Sequence, residues 1–140
     1  MGAIKNPRKE TQTLKLLTKI IQDPAIRLVA DELLVEEMLR YAELLMSPTT
    51  ATLIAALIGK MTVVRVSENY RTICRDYVKT PDKADILHAA ACLQTSAVLI
   101  TNDRHFRKIG AEGIIEVWSI DEAMRKFTPS GSLLSRSPSG

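Results

Sequence analysis

Helical spacing dominates the first sixty residues. Leu14, Leu17 and Ile21 recur at three- and four-residue steps, with Leu16 and Ile20 widening the stripe, which predicts an amphipathic helix. Asn6-Pro7 opens it as cap and first helical residue, and Asp23-Pro24 stops it. Ile26 to Ala30 then reads as a short strand, and Asp31 caps a second helix that runs to about Met46 with Leu34, Met38, Tyr41 and Leu45 on one face. Ser47-Pro48 starts a third helix through Ile58, closed by Gly59 just past its end. Met61 to Val66 predicts a strand, and Ser67 caps a fourth helix bearing Tyr70, Ile73, Cys74, Tyr77 and Val78 at helical spacing.

The second half is more continuously apolar. After Thr80-Pro81-Asp82, the Ala84–Leu93 segment is apolar nearly all round, as expected of a helix buried between a sheet and another layer. Ala97 to Thr101 is an unbroken apolar run, the kind of strand found in parallel sheets covered on both faces. A short turn or helix follows to Ile109, Gly110 and Gly113 bracket a loop, Ile114 to Trp118 is a last strand, and Ile120 to Phe127 a last helix. Residues 128–140 form a Ser/Pro/Gly-rich tail, expected to be disordered. Strands alternating with helices predict an α/β domain over residues 1–127, a three-layer α/β/α sandwich with a mainly parallel sheet. In such folds ligands gather at the carboxyl edge of the strands.

Composition narrows the chemistry. At 140 residues, 46% hydrophobic and 25% charged, the chain fits one ordinary globular domain. Its net charge of +3 comes from scattered basic residues, which permits nucleic-acid binding without arguing for it. Aromatic residues are only 4%, too few for a base-stacking platform. Cys74 and Cys92 fall on apolar helix faces and read as buried thiols of a reducing compartment. Residues 1–13 are polar, and the longest strongly apolar run, Leu53 to Ile58, is far short of a membrane span. The expectation is a cytoplasmic protein.

Candidate chemistry rests on acids. Asp85 lies in the first turn of the Ala-rich helix, and Asp103 directly follows the apolar strand. Each has a plain structural use, as a helix-dipole partner or as the cap of the next turn. Brought together at a sheet edge, they would need a cation or a shared proton. Without a Lys in the motif, the pair suits a hard divalent ion such as Mg²⁺ or Mn²⁺, which can activate water for phosphodiester cleavage. Glu36 and Glu37 read either as solvated helix surface or as further acids of that site. His88, one helical turn after Asp85, either touches the site or is a partly buried residue with its ring hydrogen-bonded. Thr101 either orients Asp103 and a metal-bound water or satisfies backbone at the strand end. Arg104 and His105 are candidate phosphate contacts. No P-loop, GxGxxG or Ser/His/Asp arrangement is present, which disfavours kinases and acyl-transfer enzymes.

The stretch ADILHAAA followed by AVLITNDRHF resembles the second half of the PIN domain family, metal-dependent ribonucleases of which many are VapC-type toxins of prokaryotic toxin–antitoxin pairs. LVADELLVEEMLRY resembles the segment carrying the family's glutamate, which falls on Glu36 with Glu37 as the fallback. The resemblance implies an endoribonuclease in which Glu36, Asp85 and Asp103 hold Mg²⁺ or Mn²⁺ and Thr101 assists. It also implies RNA as substrate, a homodimer and an antitoxin partner. The family opens with a strand ending in Asp, whereas the first Asp here, Asp23, follows a helix. The expectation is therefore that Met1 is an internal methionine preceded by one more strand. The alternative is a catalytically impaired PIN-like module that binds RNA or a protein partner.

Overall fold

The computed structural model describes residues 7–45, 47–80 and 82–127. The expected cap at Asn6, the second helix's end at Met46 and the 128–140 tail lie outside them. Helix α1 (Pro7–Gln22) leads through Asp23-Pro24 into strand β1 (Leu28–Ala30) and helix α2 (Glu32–Leu45). Helix α3 (Pro48–Lys60) runs straight into β2 (Met61–Val63), followed by α4 (Glu68–Arg75) and α5 (Lys83–Thr95). Strand β3 (Leu99–Ile100), a 3₁₀ turn at Arg104–Phe106, α6 (Arg107–Ala111), β4 (Val117–Trp118) and α7 (Ile120–Phe127) complete the order.

Most predicted elements are present, with shifted ends that have local causes. Ser47 caps α3 by accepting the Thr50 amide, with Pro48 at the first helical position. Gly59 does not close that helix. The turn continues to Lys60, and Met61 leaves it in extended conformation at φ −75°. Lys60 explains the extension, because its ammonium donates to the Ile20 and Asp23 carbonyls at the end of α1. The MTVVRV run pairs only through Val63. Beyond it, the Gln94 side chain takes over the ladder's role, donating to the Arg65 carbonyl and accepting the Ser67 amide. Helix α4 stops at Arg75, and its Cys74 carbonyl receives the Tyr77 and Val78 amides as the chain turns inward to bury Val78.

The strands form two parallel ladders. Leu28, Val29 and Ala30 of β1 pair with Met61, Thr62 and Val63 of β2, while Leu99 and Ile100 of β3 pair with Val117 and Trp118 of β4. Helix α5 packs against both β1 and β3. Adjacent strand residues enter different cores, as a period of two requires. Leu99 and Val117 join the cluster built on Cys74, Ala89, Ala90, Phe106 and Ile109. Ile100 and Trp118, with Leu28 of β1, join the cluster of Leu16, Ile20, Leu57 and Ala123 under α1, α3 and α7. Apolar packing thus lies on both faces of β3 and β4. The small residues of α5 account for its close seating, with Ala89 and Ala90 wholly buried. Among the described residues, no helix is long and apolar enough to cross a membrane.

Candidate active site

Local capping chemistry delivers each acid to its place. Asp82 caps α5 by accepting the Ala84 amide at 2.9 Å, which sets Asp85 in the first turn. The Thr80 hydroxyl donates to Asp85 Oδ2 at 3.1 Å and fixes the carboxylate's orientation. At the carboxyl end of β3, the Thr101 hydroxyl oxygen accepts the Asp103 amide at 3.0 Å. Asp103 in turn accepts the His105 amide at 2.9 Å and opens the 3₁₀ turn, which buried Phe106 anchors in the core. Asp103 therefore does serve as a cap, and its carboxylate still faces the first turn of α5.

These turns bring one ligating atom each from Asp85, Asp103 and His105 to within 4.8 Å of one another. The His105 ring Nδ1 lies 2.9 Å from Asp103 Oδ1 and 4.0 Å from Asp85 Oδ2. Asp85 is mostly covered, at 18% side-chain exposure, whereas Asp103 and His105 are open to solvent. The His105 amide, with the charge and hydrogen bond of its ring and the charge of Arg104, outweighs slight desolvation and holds the Asp103 carboxyl below the usual range. Among the described residues, neither acid is ion-paired with Lys or Arg. Two carboxylate oxygens and an imidazole at the edge of solvent, with neither acid ion-paired to Lys or Arg, fit a divalent metal ion.

Glu36 and Glu37 both lie outside this cluster, Glu36 on an exposed position of α2. Its neighbour Glu37 faces inward, with Oε1 3.4 Å from His88 Nε2. The other ring nitrogen of His88 lies 2.5 Å from Oδ2 of Asp31, a carboxylate only 2% exposed. Asp31 also caps α2, as its position after the strand suggested, by accepting the Leu34 amide through Oδ1 at 2.9 Å. Burial alone would raise the Asp31 carboxyl, but the hydrogen bond and charge of His88 leave it lowered. Burial alone would lower His88, and the Asp31 contact, with Glu37 behind it, leaves it raised. The cap role hid the second oxygen of Asp31 from sequence reasoning. The available signal was an Asp at the end of a buried strand together with a His three residues after Asp85.

Beside the acid cluster runs a cleft of about 590 Å³ that Asp103 and His105 help to line. Its walls are Tyr77 and the cations Lys79, Arg104, Arg107 and Lys108, with the Lys108 ammonium 5.9 Å from the Tyr77 ring centre. Four of the nineteen scattered basic residues thus meet at one place next to the acids. The thiols take no part, since burial pushes Cys74 up to about 11 and Cys92 up to about 12.

The sequence pattern of the PIN domain family matches residues 3–112 of the 140. No curated protein and no solved structure matches the chain.

Proposed function

The chain belongs to the PIN domain family, and we propose that it is a metal-dependent endoribonuclease acting through Asp85, Asp103 and a glutamate of α2. Family membership supports a nuclease-type hydrolase acting on nucleic acid, and PIN domains are typically dependent on divalent metal. The observation that carries the proposal is the meeting of Asp85 and Asp103, from separate elements, beside a cleft walled by four cations.

In this reading Asp85, Asp103 and His105 hold Mg²⁺ or Mn²⁺. Such an ion, when bound, polarises a phosphoryl oxygen and lowers the pKa of water. The protein's own residues supply position. Thr80 orients Asp85, Thr101 fixes the backbone of Asp103, and the lowered Asp103 carboxyl stays ionised at neutral pH. Lys79, Arg104, Arg107 and Lys108 bind the phosphates flanking the cut. Tyr77 alone gives little stacking surface, so backbone charge dominates RNA affinity.

The finer family pattern adds a three-layer α/β/α sandwich with an opening strand that carries another acid. Its support is the divided sheet: among the described residues β1 pairs only with β2 and β3 only with β4, while α5 spans β1 and β3. The roles of VapC-type prokaryotic toxin, homodimer and antitoxin target are drawn from the resemblance, and a cytoplasmic setting from the polar first residues and the buried thiols.

The test is cleavage of single-stranded RNA by the chain in Mg²⁺ or Mn²⁺, with Asp85→Asn and Asp103→Asn alongside. Metal-dependent cleavage that both substitutions abolish is expected. RNA binding without cleavage in either metal, or cleavage unchanged in both variants, would overturn the assignment.

A further inference from the structure

Asp85 and His88 stand three residues apart on α5, so their side chains are neighbours on one helix face. Asp85 turns to the loop after β3, where Asp103 and His105 sit, and His88 turns to the end of β1, where Asp31 sits. Glu37 reaches the same face from α2. The Asp31–His88–Glu37 chain therefore sits one helical turn along α5 from the acid cluster, with α5 itself as the link between them. Asp31 is wholly covered and already holds the first turn of α2 through its other oxygen, which makes it a rigid anchor. His88 links that anchor to a carboxylate that is itself 43% exposed.

We propose that Asp31 and His88 are positioning residues: anchored by Asp31, the His88 ring holds the Glu37 carboxylate against α5 one turn from Asp85, making Glu37 rather than Glu36 the acid that α2 supplies to the metal. This inference rests on the nuclease reading and deepens it. A histidine bridging a buried carboxylate and a functional acid is an outer-sphere device, because the ring restricts the acid's rotamers before any ligand arrives. Glu36, one residue away, lies about 100° around the helix and has no such bridge.

Mn²⁺ affinity, measured by calorimetry on the full chain, tests the proposal separately from cleavage. Glu37→Gln sits on a partly exposed helix position, so the fold survives it, and its Mn²⁺ affinity should fall by more than about a hundredfold, beyond the loss expected of an outer partner. His88→Ala should show a fall of about tenfold, partly rescued in His88→Gln, whose amide can still donate to a carboxylate. Unfolding curves of the metal-free variants separate affinity from stability. A purely structural pair would shift those curves and leave affinity per folded molecule unchanged, which overturns the proposal. A larger loss of affinity in Glu36→Gln than in Glu37→Gln overturns it as well. If the unsubstituted chain binds no Mn²⁺, the nuclease reading itself falls and takes the inference with it. Binding that is insensitive to Glu37 and His88 sinks the inference alone.

Discussion

The chain's two histidines are each set against two carboxylates, at different depths. His88 has Asp31 at 2.5 Å and Glu37 at 3.4 Å, with its side chain 16% exposed. His105 has Asp103 at 2.9 Å and Asp85 at 4.0 Å, with 45% exposed. The same groups serve different ends because water is excluded from one and present at the other. At Asp31 and His88, desolvation must be offset by a fixed partner, so the pair is structural first. Around His105, partners can exchange with solvent or a metal ion at little cost to the fold. A shielded carboxylate–histidine pair and an open one thus stand along one face of α5.

Stability is where the contrast should be largest. Asp31→Ala leaves a mostly buried imidazole without its main partner and uncaps α2. It should cost about 3 kcal/mol, the lower end for breaking a buried pair because His88 keeps Glu37. Asp103→Ala, on an exposed loop, should cost less than about 1 kcal/mol. Denaturant unfolding of both variants measures the difference, and equal losses would erase the distinction between the two sites.

Charge reversal in the cleft comes next. Arg107→Glu with Lys108→Glu should weaken single-stranded RNA binding by about tenfold or more and flatten its salt dependence, each lost phosphate contact reducing the slope by about 0.7. Fluorescence anisotropy across a salt series reads both quantities. An unchanged slope would remove the cleft from the RNA path.

A pH series sharpens the comparison. His88 is raised in the folded chain, so its contribution is complete below its ordinary value of about 6.5 and is lost as pH rises through the raised one. Asp31 is lowered, so its contribution is present above about 3.9 and is lost as pH falls through the lowered value. The stability advantage of the metal-free parent over Asp31→Asn should therefore be greatest between those limits and shrink toward alkaline pH. An advantage that grows above pH 7 would contradict the pairing. The smallest effect concerns the thiols: Cys74 and Cys92 should resist a thiol reagent at pH 8 until the chain unfolds, and rapid native labelling would show the cluster around them to be open.

Periodicity made most elements legible, because the apolar stripe of α1, the helix start at Ser47-Pro48, the break at Thr80-Pro81-Asp82 and the apolar run of β3 are local signals. Strand lengths were not, since β2 ends where Gln94, about thirty residues on, claims the Arg65 carbonyl. The reach of α3 past Gly59 depended equally on a distant partner, the end of α1. Asp85 and Asp103 could be singled out because each stands at the boundary of a strongly apolar segment. That His105 would complete their cluster, and that Asp31 would meet His88 across 57 residues, are tertiary facts with only faint local traces. The choice between Glu36 and Glu37 turns on helix phase, which adjacent glutamates cannot reveal in sequence.

The most direct measurement is a Mn²⁺ titration of the full chain followed by calorimetry, repeated with Asp85→Asn and Asp103→Asn. A saturable site whose affinity drops by more than about a hundredfold in each variant is the predicted result, since a direct ligand should matter more than an outer partner. Mn²⁺ binding that is absent, or equally tight in both variants, would contradict a metal centre at the meeting of α5 and the β3 loop.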